Sequence, residues 1–130
     1  MFRIPKSIIN KIAEHGKKDY PLEACGYLIG NDETVTDVIY MTNIDKSNEH
    51  FSFDPKEQFR AVKYARAKNG SLIAVYHSHP DSHARMSNED LRLANDTSMK
   101  YLIFSVPDND LRCFVINKEK SVAEIEIEEI

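Results

Sequence analysis

Apolar residues recur at helical spacing near the start of the chain and again after residue 86. Behind Pro5, apolar side chains stand at positions i, i+1, i+4 and i+5, and a proline suits the first turn of a helix. This pattern predicts an amphipathic helix that runs to about Gly16. Farther along, Ser87-Asn88-Glu89-Asp90 opens a second predicted helix.

The strongest helix signal lies in the middle of the chain. Asp54 is a good N-cap, Pro55 suits the first helical position, and Glu57 would complete a capping box. The predicted helix ends at Asn69-Gly70. Its apolar positions at helical spacing are Phe59, Val62 and Ala65.

Short apolar runs between turn-forming residues predict strands. They are Ala24 to Ile29, Val35 to Met41, Leu72 to Tyr76, Tyr101 to Val106 and Leu111 to Ile116. The last two are joined by Pro107 to Asp110, which predicts a hairpin connection. The tail from Glu124 to Glu128 alternates strictly, as an edge strand with one wet face does. A short extended piece is predicted at Phe51 to Phe53.

These elements predict one α/β domain of the α+β type over residues 1–130, with a mostly antiparallel central sheet flanked by helices. A chain of 130 residues with 42% hydrophobic residues can bury a core of its own. No internal repeat or linker divides it. Leu72 to Tyr76 is the most apolar of the β-branched runs, and we expect it to be a central strand.

Composition narrows the classes of partner. The net charge is −4, and no stripe of basic residues alternates with aromatic residues, so nucleic acid is not an expected partner. A mean hydropathy of −0.48 without a long apolar run argues against a membrane span. The first residues lack the pattern of a secretory signal, and two cysteines are too few for a disulfide framework. We therefore expect a cytoplasmic protein.

Two histidines stand where the predicted central strand ends, in the sequence His77-Ser78-His79-Pro80. Residues i and i+2 of a strand point to the same face, so both imidazoles can face one ion. Pro80 keeps His79 extended. Ten residues after Pro80, Asp90 stands one turn into a helix, and a His, His, Asp set with one open position is typical of catalytic zinc. Considered separately, each histidine could be an ordinary surface or hydrogen-bonding residue, and Ser87 with Asp90 could be a plain capping box.

The spacing of these residues is similar to the signature of the JAMM, or MPN-plus, metalloprotease family. That signature is His, Ser or Thr, His, Pro, six residues, Ser, two residues, Asp, and the match from His77 to Asp90 is complete. The family also has an upstream glutamate in a segment that resembles Glu23 to Gly30. The resemblance spans Glu23 to Asp90 in its motifs and nearly the whole chain in its element order.

The resemblance implies a cytidine-deaminase-like JAMM/MPN fold and a role for each matched residue. His77, His79 and Asp90 would hold Zn²⁺, one ion per chain, and no organic cofactor is expected. Glu23 would lie near the metal without binding it and would act as the general base on a water molecule. Ser87 would cap its helix and donate a hydrogen bond to the oxyanion of the tetrahedral intermediate.

The resemblance also implies a function. We expect a zinc-dependent peptidase or isopeptidase, because members of the family that this chain resembles cut after the C-terminal Gly-Gly tail of a ubiquitin-like or sulfur-carrier protein. Because an extended Gly-Gly tail offers little side chain to recognise, we expect it to dock by adding a strand to an exposed sheet edge. A noncatalytic MPN-type interaction scaffold is the alternative, although such relatives lack the metal ligands that are present here.

Other chemistry-bearing residues have less support. Cys25 lies in a predicted buried strand near Glu23, where a cysteine is usually inert packing, and Cys113 is expected in the core. His83 lies in the six-residue spacer, where it could reach the metal or substrate or simply be a solvated loop residue. Ser78 should point away from both histidines, which disfavours a serine nucleophile. His15 and His50 have no partner that the sequence identifies.

Overall fold

The computed structural model describes all residues from 1 to 130 as eleven elements joined by short loops. The helices are α1 (Lys6–Asp19), α2 (Pro55–Ala67) and α3 (Asn88–Leu93). The strands are β1 (Phe2–Ile4), β2 (Cys25–Asn31), β3 (Thr34–Met41), β4 (Ser71–His79), β5 (Lys100–Ser105), β6 (Asp110–Ile116), β7 (Val122–Ile125) and β8 (Ile127–Glu129). None of the three helices has the length and hydrophobicity needed to cross a membrane.

All eight strands form one mixed sheet in the order β7-β6-β5-β4-β2-β3-β1-β8. The pairs β7-β6, β6-β5, β4-β2 and β2-β3 are antiparallel, and the pairs β5-β4, β3-β1 and β1-β8 are parallel. Antiparallel pairing therefore predominates, as predicted. β4 lies between β2 and β5, as expected of a central strand, but it continues beyond Tyr76 to His79.

The C-terminal tail differs from the single edge strand that its alternation predicts. Val122 to Ile125 pair with β6 at one edge of the sheet, and Ile127 to Glu129 pair with β1 at the other edge. Glu126 lies between the two strands, and its carbonyl accepts a hydrogen bond from the Phe2 N–H (3.0 Å). The sheet must therefore curl until one tail segment reaches both of its edges. The short β1, which this tail holds in place, has no strand pattern of its own in the sequence.

The two faces of the sheet are covered by different helices. α1 packs against β3, β4 and β5, and α2 packs against β2 and β4. The main core lies on the α1 side and consists of Phe2, Ile4, Ile8, Ile12, Leu28, Val35, Ala74, Tyr76, Leu102, Phe104 and Cys113. A smaller cluster of Cys25, Tyr27, Met41 and Ala61 lies on the α2 side. Because side chains alternate along a strand, Ala74, Tyr76 and Ser78 of β4 face α1, whereas Val75, His77 and His79 face the other way.

Of the three predicted apolar positions of helix α2, only Ala65 is buried. Ala61 and Ala65 are buried against the sheet, whereas Phe59 is 63% exposed and Val62 is 36% exposed. The small alanine side chains allow the helix backbone to approach the sheet closely, which leaves the larger residues outside. Asp54 does cap the helix by accepting from the Lys56 N–H. The predicted capping box does not form, because the Glu57 carboxylate accepts hydrogen bonds from the backbone and hydroxyl of a residue in the preceding loop, Thr42.

The close approach of β3 and β4 to β2 makes Gly26 intolerant of a side chain. A Cβ atom there would lie 2.3 Å from the Tyr76 ring and 2.4 Å from the Ile39 carbonyl oxygen. We expect Gly26→Ala to lower the free energy of unfolding by about 2 to 3 kcal/mol, because backbone and a buried ring must both shift. Denaturant unfolding followed by circular dichroism measures this change. An unaltered midpoint would show that the strands are spaced more widely.

Candidate metal centre and active site

The two histidines of the motif converge at the end of β4. His77 and His79 pair in register with Ile103 and Ser105 of β5 and point to the same face. Both are 4% exposed, and their Nε2 atoms are 3.2 Å apart. Ligand atoms at roughly 2.0–2.1 Å from a tetrahedral ion are separated by about 3.3 Å, so this spacing suits a shared metal ion.

Helix α3 brings a carboxylate to the same point. The Ser87 hydroxyl accepts from the Asp90 N–H, and the Asp90 carboxylate accepts from the Ser87 N–H, which together form a capping box. The Asp90 Oδ1 lies 3.0 Å from the His77 Nε2, and its Oδ2 lies 2.9 Å from the His79 Nε2. The local capping signal and the proposed ligand set therefore use the same side chain.

Contacts behind the two rings fix their orientation. The His79 Nδ1 donates to the His83 carbonyl oxygen (2.8 Å), so in neutral His79 the Nε2 carries the lone pair and faces Asp90. Phe51 stacks on His77 with ring centroids 4.9 Å apart. The carbonyl that orients His79 is one contribution that the sequence could not indicate, because any residue type can supply it.

The charges and contacts of His77, His79 and Asp90 stabilise a positive charge between these side chains. Burial opposes ionisation of Asp90, but the contacts with His77 and His79 outweigh it and hold the pKa of that carboxyl well below its usual range. Burial also disfavours protonated His79, yet its contacts with Asp90 and the His83 carbonyl raise its pKa on balance. A cation among these atoms is stabilised whether it is a proton or a metal ion. Two imidazole nitrogens and one carboxylate are a donor set that zinc accepts.

Glu23 lies at the edge of this cluster with little else to bind. It is 3% exposed, its Oε1 has no hydrogen-bond partner, and burial raises the pKa of its carboxyl. One of its oxygens lies within 4.8 Å of the ligand atoms of His77 and His79, whereas the Asp90 oxygens lie 3.0 Å and 2.9 Å from the Nε2 atoms of His77 and His79. Glu23, His77 and His79 alone could hold a metal, but the shorter distances favour Asp90 as the third ligand.

Backbone contacts place Glu23 beside the histidines. The Ala24 N–H donates to the Ser78 hydroxyl (2.8 Å), and the Ser78 N–H donates to the Ala24 carbonyl (2.9 Å). The Glu23 carbonyl accepts from the Asn43 side-chain amide (3.1 Å). Ser78 thus points to the side of the sheet opposite the histidines, as predicted, and ties the Glu23 segment to the strand that bears them.

Open space meets the cluster at a polar cleft, and an apolar groove lies beside Phe51, the residue that stacks on His77. A polar cleft of about 340 Å³ is lined by Glu23, Asn48, Glu49, His79, Pro80, Asp81, Ser82, Ser87 and Glu89. A second groove, of about 390 Å³, is mostly apolar and includes Tyr27, Phe51, Phe53, Val75 and Tyr101. Within the polar cleft, Ser87 accepts from the Asp90 N–H, so its own hydroxyl proton remains available to a ligand.

The remaining histidines lie outside the cluster or at its margin. The His83 ring is exposed and its Nδ1 contacts Asp108, so only its carbonyl serves the centre. His15 contacts the Tyr76 hydroxyl on the other side of the sheet (2.7 Å). His50 contacts Asp45 (2.8 Å) and lines a small cavity beside His77. His50 and Phe51 come from the predicted loop and extended piece, and no spacing rule placed them beside the motif.

Residues 5–117 match the family model described as prokaryotic homologs of the JAB domain, Prok-JAB. The chain belongs to the Prok-JAB family. The predicted JAMM/MPN relationship and the class of JAMM-type hydrolase are confirmed by this match together with the relatives below.

Two curated relatives of this Prok-JAB chain are named as proteases. It is 29% identical to a CysO-cysteine peptidase of Mycobacterium tuberculosis over 87% of this chain and 81% of the relative. It is 29% identical to a probable TtuB-protein conjugate cleaving protease of Thermus thermophilus over 92% of this chain and 79% of the relative.

Solved structures confirm the predicted fold class. A Desulfitobacterium hafniense protein solved in solution is 38% identical over 100% of this chain and 93% of its own, with a TM-score of 0.92. A JAB1/MPN domain protein of Archaeoglobus fulgidus has a TM-score of 0.63 at 21% identity over 99% of this chain and 98% of its own. At that identity the second likeness concerns the fold alone.

Both cysteines should be inert in the folded protein. Cys25 and Cys113 are fully buried, and burial raises the pKa of both thiols, that of Cys113 to about 12. At pH 8 a thiol with that pKa is thiolate in only about one molecule in 10⁴. We expect neither residue to react with iodoacetamide until denaturant is added, as peptide mass spectrometry would show. Rapid labelling of Cys25 in the native protein would reopen a thiol mechanism.

Proposed function

We propose that this chain is a zinc-dependent peptidase or isopeptidase that hydrolyses the bond after the C-terminal Gly-Gly of a ubiquitin-like or sulfur-carrier protein. The observation that carries the proposal is the convergence of His77, His79 and Asp90 beside a buried glutamate with an unbonded oxygen, Glu23. A noncatalytic scaffold has no evident use for a buried carboxylate that lacks partners, since such a group costs stability.

His77, His79 and Asp90 would hold the zinc ion, one per chain. Their Nε2 and carboxylate atoms already lie about 3 Å from one another, and the His83 carbonyl orients the lone pair of His79. When bound, zinc would supply Lewis-acid polarisation of the scissile carbonyl and would make water more acidic. The three side chains would therefore position the metal ion, and neighbouring groups would transfer the protons.

Glu23 is suited to move the proton. Burial raises the pKa of its carboxyl, which brings its basicity closer to what a general base needs near neutral pH. Its Oε1 can accept a proton from water and then deliver it to the departing amine. Ser87 lines the same cleft, and its free hydroxyl proton can be donated to the oxygen that becomes negative in the transition state.

An extended substrate tail has a partner in the segment Phe51 to Phe53. No backbone N–H in this segment donates a hydrogen bond within the chain, and Phe51 stacks on His77. A substrate strand could pair with these free groups and lead its scissile bond to the histidines. A tail of two glycines fits such pairing because it adds no side chains to the groove. The relatives named for CysO-cysteine and TtuB conjugates support this substrate class.

The metal is tested first. We expect purified protein to contain about one zinc per chain, and His77→Ala or Asp90→Ala to lose most of it because each removes one of three ligands. Elemental analysis of desalted protein measures the content. His83→Ala is the matched control, since it removes an exposed imidazole but keeps the carbonyl that orients His79. Full zinc occupancy in both ligand variants would refute the assignment.

Glu23→Gln separates catalysis from metal binding. The amide keeps the shape of the side chain but cannot accept the proton, so turnover should fall by about 10² to 10⁴ while zinc content is retained. Glu49→Gln is the control, because Glu49 is an exposed glutamate of the same cleft. The measurement compares the cleavage rates of both variants and the parent at saturating zinc. A Glu23→Gln variant as fast as the parent would remove Glu23 from the mechanism.

The substrate is tested with matched tails. We expect a ubiquitin-like carrier ending in Gly-Gly-Cys, or Gly-Gly joined to a lysine side chain, to be cut after the second glycine, and the same carrier ending in Val-Val to resist cleavage. Added Cβ branches would collide with the groove walls and hold the carbonyl away from the histidines. Mass spectrometry identifies the products. Equal cleavage of both tails would reduce the protein to a general peptidase, and no cleavage by zinc-loaded protein would favour the scaffold.

A further inference from the structure

Helix α3 carries Asp90 and is capped by Ser87, but it buries few apolar side chains. Its six residues include one buried side chain, and that side chain is the Asp90 carboxylate. Leu93 is 46% exposed. Helices this short are not stable on their own, and most draw their stability from a packed apolar face. The position of Asp90 must therefore depend on polar contacts at the two ends of α3.

The capping box at Ser87 secures the first end, and a lysine from a distant hairpin secures the second. Lys120, in the turn between β6 and β7, directs its Nζ to the carbonyls of Leu91 (2.9 Å), Arg92 (3.4 Å) and Ala94, and to the Asn95 side-chain oxygen (3.0 Å). The last carbonyls of a helix lack partners within the helix and carry partial negative charge. An ammonium group with three donors matches this end of α3.

The backbone conformation of Lys120 is unfavourable for a residue with a side chain, so the contacts of that side chain explain why a lysine stands at this position. Its φ is 64°, in the left-handed region, and its N–H donates to the Asn117 carbonyl (3.0 Å) to close the turn. Glycine or asparagine adopts this conformation at lower cost. The contacts of the ammonium group with α3 offset that cost. Lys120 lies beyond residues 5–117, which match the Prok-JAB model.

We propose that Lys120 is a positioning residue that holds α3, and through it Asp90, against the histidines of β4. The proposal rests on the metal site proposed above. Lys120 touches neither the ligands nor the cleft, and it acts by fixing the helix end that the capping box leaves free. Zinc affinity should therefore depend on a side chain in the C-terminal hairpin.

The test compares three substitutions of Lys120 with a neighbouring control. Lys120→Met keeps most of the aliphatic stem without the charge, Lys120→Gly also relieves the left-handed backbone, and Lys120→Arg keeps a cationic donor. Lys118→Met removes an exposed lysine of the same hairpin. Zinc affinity is measured by competition with a chelator, and hydrogen exchange is measured at the amides of Leu91 and Ala94 in zinc-free protein.

We expect Lys120→Met and Lys120→Gly to bind zinc about tenfold more weakly, as removal of groups that orient ligands commonly does. Both should exchange the two α3 amides faster, whereas Lys120→Arg and Lys118→Met should resemble the parent. Lys120→Gly should unfold at a temperature no lower than that of Lys120→Met, because its turn is relaxed. Weaker zinc binding by Lys120→Gly would then result from a displaced α3 and not from a loss of global stability.

Unchanged zinc affinity and unchanged exchange in Lys120→Met and Lys120→Gly would overturn the proposal. A parent protein that binds no zinc would instead refute the proposed function. In that case the exchange rates of the zinc-free variants still decide whether Lys120 holds α3.

Discussion

The structure is organised around one buried carboxylate shared by two imidazoles. Asp90 is 8% exposed and places one oxygen about 3 Å from each histidine ring. Such a group is stable in the interior only when positive charge or hydrogen bonds compensate the loss of water. His77, His79 and the Ser87 N–H meet this requirement. The same arrangement satisfies the ligand preferences of a divalent metal ion, and this links the stability of the fold to its chemistry.

The rest of the fold brings these groups together from distant parts of the chain. β4 is held on both sides by β2 and β5, so the two histidines stand on a rigid strand. Ser78, which faces away from them, ties the Glu23 segment to that strand. The tail strands β7 and β8 join both edges of the curled sheet, and the turn before them reaches α3. The histidines, Glu23 and Asp90 are thereby held in place by contacts with distant parts of the chain.

Local signals in the sequence were sufficient for much of this arrangement. Short apolar runs between turn-forming residues located five strands, and the spacing from His77 to Asp90 identified residues that the structure brings within hydrogen-bonding distance. The errors have tertiary causes. α2 buries Ala65, as predicted, but pairs it with Ala61 in place of Phe59 and Val62, because close approach to the sheet favours small residues, which helical periodicity does not reveal. The division of the tail between two sheet edges, the His83 carbonyl and the contacts of Lys120 depend on long-range geometry that no local pattern encodes.

The proposed chemistry requires that Asp90 binds the metal ion while Glu23 remains free as a base. Anomalous diffraction from crystals of the zinc-loaded protein, recorded on both sides of the zinc absorption edge, tests this claim directly. We expect one anomalous peak per chain, bonded to the Nε2 atoms of His77 and His79 and to an Asp90 oxygen, with the Glu23 carboxylate nearby but not coordinated. A peak bonded to Glu23 with Asp90 displaced, or the absence of a peak between the histidines, would contradict it.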